Sequence, residues 1–128
     1  MSIDIDKDPQ ETGEMLEATV ITTNDAVTTI ATIAIPDDTR VTVKAHFVCR
    51  RTDASTNNGG HFERWVGVFR DSGGGVEQDG TIYTPFTRET PVSLNATISV
   101  SGNNVLLEVK GIAGATYEWK VFYQLLSI

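Results

Sequence analysis

The chain has a single cysteine, Cys49, among its 128 residues. One thiol excludes an internal disulfide framework and any zinc site built on paired cysteines. Long apolar runs are missing as well. Nothing approaches the roughly 18 residues that a spanning helix needs, so no membrane partner is expected. The start MSIDIDKDPQ is acidic and lacks the basic and apolar regions of a signal peptide, so export by that route is not expected. Basic residues are few, 10 Lys and Arg against 17 Asp and Glu. They are also dispersed, which argues against a phosphate-binding surface and against nucleic acid as a partner. Helical spacing of apolar residues is scarce, and no G-x-S-x-G elbow is present.

What is present is a globular composition, 40% hydrophobic and 21% charged, in a length that fits one domain with a single core. The net charge of −7 is unevenly placed. Nine acids (Asp4, Asp6, Asp8, Glu11, Glu14, Glu17, Asp25, Asp37 and Asp38) fall within residues 1–38 against Lys7 alone, and the rest of the chain is near neutral. Residues 1–15 therefore read as an acidic arm and 16–128 as the folded body. Such an arm suits either contact with a basic neighbour or a solvated tail.

Period-two patterning dominates the body. In RVTVKAHFVCR, Val41, Val43, Ala45, Phe47 and Cys49 share one face, while Thr42, Lys44, His46 and Arg50 share the other. Similar alternation predicts strands near 16–22, 26–35, 62–70, 81–87, 94–100, 105–111 and 116–127, about eight in all. Turn formers separate them at Pro36-Asp37-Asp38, at 55–60, at 71–75 with Asp79-Gly80, and at 101–104. The pattern predicts an all-β protein, an antiparallel β-sandwich of jelly-roll type with an extended N-terminal arm. Its clearest unit is a hairpin in which Leu94, Ala96, Ile98 and Val100 form one apolar row and Val105, Leu107 and Val109 the returning one. The final strand alternates Tyr117, Trp119, Val121, Tyr123 and Leu125 with Glu118, Lys120, Phe122 and Gln124. Leu125, Leu126 and Ile128 make the C-terminus greasy, which predicts cover by another element or another subunit.

Candidate chemistry is thin. Asp4, Asp6 and Asp8 imitate the start of a calcium loop, but Pro9 stands where glycine is required and Met15 where a bidentate glutamate belongs. His46 and His61 have no second histidine at ligand spacing and read as surface or loop residues. Ser72-Gly73-Gly74-Gly75 lacks the Lys-Ser/Thr that completes a phosphate loop. Asn95-Ala96-Thr97 matches a glycosylation sequon inside a predicted strand, a chance match without a secretory signal. Trp65, Tyr83, Tyr117 and Trp119 offer faces for sugar rings, but inside alternating strands they read as core. Neither catalysis nor a metal or cofactor is expected.

One resemblance carries the functional expectation. The layout VSLNATISVSGNNVLLEVKGIAGATYEWKVFYQLLSI, preceded by VTVKAHFVCRRTD, a Gly- and Asn-rich loop and FERWVGVFRD, resembles small β-sandwich structural domains of tailed-phage virion proteins. The resemblance covers roughly 39–127. It implies a non-catalytic structural protein of the virion surface, a capsid decoration or cement protein or a short head or tail fibre, made in the host cytoplasm. It also implies a homotrimer seated on a major capsid or tail protein, and the acidic arm and apolar C-terminus then point to Asp4, Asp6, Asp8, Leu125, Leu126 and Ile128 as the subunit or shell interface. The alternative is a module that binds a bacterial surface glycan through its loops, with Asn57, Asn58, His61, Asp71 and Tyr83 as the ligand-facing residues.

Overall fold

The computed structural model describes residues 14–128 and contains eight strands. In chain order they are β1 (Leu16–Thr22), β2 (Val27–Ala34), β3 (Thr39–Arg51), β4 (Gly59–Arg70), β5 (Val76–Thr90), β6 (Asn95–Ser101), β7 (Asn104–Lys110) and β8 (Tyr117–Ser127). They form two antiparallel sheets, ordered β1-β8-β3-β4-β5 and β2-β7-β6.

The alternation sets which face is buried. Val41, Val43, Ala45, Phe47 and Cys49 of β3 point inward, as do Tyr117, Trp119, Val121 and Leu125 of β8. They share one core with Ile30 and Ile33 of β2, Ala96 and Ile98 of β6, and Val105, Leu107 and Val109 of β7. Trp119 is fully buried and stacks on Phe62 of β4 with ring centroids 5.9 Å apart. Its Nε1 donates to the Thr22 hydroxyl at 3.0 Å, fastening β8 to β1. The β6–β7 hairpin pairs Ser101 with Asn104 around Gly102-Asn103. Gly102 has φ +58° at the first central position, as a type II′ turn demands.

Two elements are longer than their sequence suggests. β4 begins at Gly59 rather than 62, because Gly59 and Gly60 pair with Arg50 and Cys49 of β3. A Cβ on Gly59 would strike the Cys49 carbonyl oxygen, and one on Gly60 would lie 2.9 Å from the Arg88 carbonyl oxygen. What reads as a Gly-rich loop is thus a close backbone approach between neighbouring strands. β5 spans Val76–Thr90 rather than 81–87 and absorbs the Asp79-Gly80 turn signal. It is an edge strand, paired only to β4, with register irregularities opposite Glu63, Trp65 and Gly67. An edge strand needs no buried row and tolerates Pro85, so the apolar alternation that reveals a strand is absent from most of it.

Arg64 breaks the inward row of β4 between Phe62 and Val66. It is 5% exposed, yet among the described residues no carboxylate lies within ion-pair distance. Its Nε donates to the Ala96 carbonyl of β6 at 3.0 Å, and its Nη1 to the Glu63 and Phe86 carbonyls and the Thr87 hydroxyl at 2.9, 3.1 and 2.8 Å. One side chain therefore ties the two sheets together at the β5–β6 margin. Burial lowers its pKa from the ordinary guanidinium value, with Glu89 opposing that shift.

Candidate functional site: a sheet face and an end cleft

Strand register assembles the outward face of the five-stranded sheet. One row across it runs Glu17, Phe122, His46, Glu63 and Phe86, and the next runs Gln124, Lys44, Trp65 and Tyr83. Met15 closes a shallow hollow beside Lys44, His46 and Phe122. The Lys44 ammonium sits 4.2 Å from the Trp65 ring centroid, the Trp65 Nε1 donates to Glu63 Oε1 at 3.1 Å, and Tyr83 meets the indole edge-on at 5.6 Å. His46, His61 and Phe86 form a triangle with centroids 6.4 to 6.5 Å apart. Charge on this face is balanced: Arg40, Lys44, Arg50, Arg88 and Lys120 stand among Glu17, Glu63, Glu77, Asp79 and Glu118. Two cross-strand ion pairs, Arg40–Asp79 at 2.6 Å and Lys120–Glu17 at 3.7 Å, lie within it.

The second feature is an open cleft of about 610 Å³ at the end of the sheet where β3 passes into β4. Asn57, Asn58, His61, Arg50, Arg88 and Glu89 are among its walls. Among the described residues neither Arg50 nor Arg88 forms an ion pair. Arg51 is engaged by Asp53 at 2.7 Å, and that hydrogen bond holds the Asp53 carboxyl below its usual range. A shallow anion-accepting recess with amide donors beside it follows from this chemistry.

The sequence-predicted residues divide accordingly. Asn57, Asn58 and His61 come together at the cleft. Asp71 lies at the other end of β4, beside Asp38, Arg40 and Ile128. Gly59 to Arg70 is eleven residue steps, so the two ends are separated by about 36 Å at 3.3 Å per residue. The two loops named as one recognition surface therefore cannot act on one ligand unit. Tyr83 is neither in a loop nor in the core; it is 59% exposed on the outward face, with Trp65 half-buried beside it. Only Tyr117 and Trp119 of the four expected core aromatics are buried. Leu125 is 2% exposed and belongs to the protein's own core, whereas Leu126 and Ile128 are exposed. Asp4, Asp6 and Asp8 lie outside the described residues.

Some chemistry is closed off locally. Cys49 is buried, and burial pushes its thiol pKa up to about 12, the opposite of what a nucleophile needs. No group of three or more metal-ligating side chains occurs among the described residues. Sequence spacing hid three features that the register exposes: the His46–His61 proximity, the aromatic outward face and the unpaired arginines of the cleft.

No protein-family model matches the chain, and no curated protein matches it. Among solved structures it is similar to the tailspike protein of Acinetobacter baumannii phage AM24, with a TM-score of 0.54 and 14% identity. That match covers 89% of this chain and 26% of the tailspike, so the likeness is one of fold and to about a quarter of the larger protein. Weaker similarities are to tailspike gp49 of Acinetobacter baumannii bacteriophage Fri1, a capsular polysaccharide depolymerase, and to the tailspike of Acinetobacter phage vB_ApiP_P1. Their TM-scores are 0.40 and 0.38 at 13% and 14% identity, covering 90% and 99% of this chain and 19% and 24% of theirs.

Proposed function

We propose that this chain is a non-enzymatic structural domain of a tailed-phage particle, of tail-fibre, spike or capsid-decoration type. On this reading it is made in the host cytoplasm, carried on the virion surface and assembled as a homotrimer. The observation that carries it is the fold likeness to the AM24 tailspike over 89% of the chain. The fold reading within it is a jelly-roll-like β-sandwich, supported by the nesting of the chain ends as β1-β8-β3 in one sheet and β2-β7 in the other. Burial of the lone thiol and the mutual engagement of Lys44, Glu63, Trp65 and Tyr83 support a non-catalytic role. Attachment to a major capsid or tail protein is assigned to the acidic segment 1–15, whose charge suits a basic neighbour.

Mass spectrometry and immunogold labelling of purified virions test this reading. Stoichiometric presence and label at the particle surface are expected, and absence from the virion overturns it. Deleting residues 2–14 is expected to abolish rebinding to particles that lack the protein, in a salt-sensitive manner, without changing thermal unfolding. A second reading, recognition of an acidic bacterial surface glycan, is favoured by one observation: the unpaired Arg50 and Arg88 beside Asn57, Asn58 and His61 in the end cleft. Glycan-array binding that disappears in Arg50→Ala/Arg88→Ala supports it, and binding unchanged in that variant removes it.

A further inference from the structure

We propose that the outward face of the β1-β8-β3-β4-β5 sheet is the surface through which copies of this chain associate. The proposal rests on the oligomeric reading above and moves the contact from the C-terminal tip to a whole sheet face.

The two outward faces of the protein differ in kind. That of β2-β7-β6 carries Thr29, Thr32, Thr97, Ser99 and Glu108 around a half-buried Leu106, with a single exposed large apolar side chain, Val27, at its end and Ser99 donating to Glu108 at 2.7 Å. That is an ordinary solvated face. The five-stranded face instead exposes Met15 at 60%, Tyr83 at 59%, Leu126 at 43% and Phe86 at 40%, with Trp65 and Phe122 half-buried between them. Its aromatic side chains lie among engaged charges, Lys44 and Glu63 on Trp65 and Lys120 on Glu17, with further charges at both ends of the sheet, and aromatic enrichment of this kind marks protein interfaces.

Size and charge identify the occupant as another copy. Five strands at about 4.8 Å spacing and about ten residues of 3.3 Å give a face of about 800 Å². A standard interface buries about that much on each partner. Each copy carries a net charge of −7, so copies repel over most orientations. This face holds five cations and five anions and presents no net charge to its own image. A foreign partner selected by charge would require a face of one sign. A sugar platform would require an uncovered indole, and Lys44 already occupies one side of Trp65. A closed cyclic trimer turns three such faces toward a common axis, so that each is shared between both neighbours at about 400 Å² per contact, and the three contacts hold the ring together jointly.

Light scattering of the full chain across a concentration series tests the proposal, with wild type beside Tyr83→Asp/Phe86→Asp and a control, Thr32→Asp, on the other sheet. Wild type and control are expected to be trimeric at tens of micromolar. The double variant is expected to be monomeric, its dissociation constant raised about a hundredfold or more, with circular dichroism unchanged. A monomeric wild type overturns both this proposal and the oligomeric reading. A trimeric wild type with a trimeric double variant overturns the face assignment alone, as does dissociation by Thr32→Asp. If the double variant unfolds, hydrogen exchange of wild type above and below its dissociation midpoint decides: protection gained in β5 and β8 supports the face, and protection gained only in β2, β6 or β7 overturns it.

Discussion

Replacing Arg64 by Met tests the claim that one buried guanidinium holds the two sheets together. Four acceptors lose their donor. The Ala96 carbonyl is enclosed, and leaving it unsatisfied costs about 1–3 kcal/mol. The other three acceptors are only partly buried. Water can reach them, so each loss is worth about 0.5 kcal/mol. Opposing these is the relief of a guanidinium buried with no carboxylate at ion-pair distance, and the methionine stem recovers the contact with Phe62. The enclosed carbonyl decides the sign, giving a net loss of about 2–3 kcal/mol. For a domain of this size that lowers the melting temperature by about 8–15 °C. Arg64→Lys keeps the charge but not the fork, and its single ammonium cannot reach both the β6 carbonyl and the β5 acceptors. It should fall between wild type and Met. Thermal unfolding followed by circular dichroism, repeated in urea, gives both numbers. A Met variant that melts within about 2 °C of wild type would refute the reasoning, since packing alone would then hold the β5–β6 margin.

Thr22→Val keeps the shape of the side chain but strands the buried Trp119 N–H, so a loss of about 1–3 kcal/mol is expected in urea unfolding, whereas Thr22→Ser should lose less than half of that. Cys49 is expected to resist iodoacetamide at pH 8 in the folded protein and to react once urea unfolds it; rapid labelling of the native state would show that β3 and β4 open locally. Because the folded thiol pKa is raised, its contribution to stability is full below the unfolded value near 8.5 and declines as pH rises toward about 12, so Cys49→Ala should lessen the loss of stability between pH 8.5 and 11. On the glycan reading, a polyvalent acidic polysaccharide should bind trimeric protein at least about a hundredfold more tightly than the Tyr83→Asp/Phe86→Asp monomer, while a single oligosaccharide binds both alike. Equal polysaccharide binding by the two would detach the cleft from the oligomer.

How much of this is legible in the sequence depends on how strongly each strand is buried on one side. The β6–β7 hairpin and β3 have one apolar and one polar row, so strand, face and turn all follow from alternation. β4 misleads because both of its rows are mixed. The inward row Phe62, Arg64, Val66, Val68 contains an arginine, and the outward row His61, Glu63, Trp65, Phe69 contains two large aromatics. Parity separates the rows without saying which one is buried; only the carbonyl of Ala96 waiting on β6 settles it for Arg64. β5 is harder still, because an exposed edge strand carries no buried row that a pattern could reveal. His46 and His61 are far apart along the chain and become neighbours through the β3–β4 register, which pairs Val48 with His61 and His46 with Glu63. The end cleft is legible only as a loop, since its arginines come from β3 and β5.

The same register constrains how the proposed activities fit together. The cleft lies at the end of the sheet where Arg50 and His61 sit, one to two rows from the aromatic centre of the outward face. The cleft is walled by the Thr56–Asn58 loop and by the ends of β3, β4 and β5, so it borders the face proposed to be buried between copies. In a cyclic assembly the copies share one orientation along the axis, so every cleft opens at the same end. On the two proposals together, the face would hold the copies and its end would present several identical arginine-lined recesses side by side. Arg50 and Arg88 belong both to the charge balance of the face and to the cleft, so a change there is read for assembly as well as for ligand binding, whereas Tyr83 and Phe86 lie outside the cleft. Light scattering of Arg50→Ala/Arg88→Ala therefore separates loss of the ligand from loss of the oligomer.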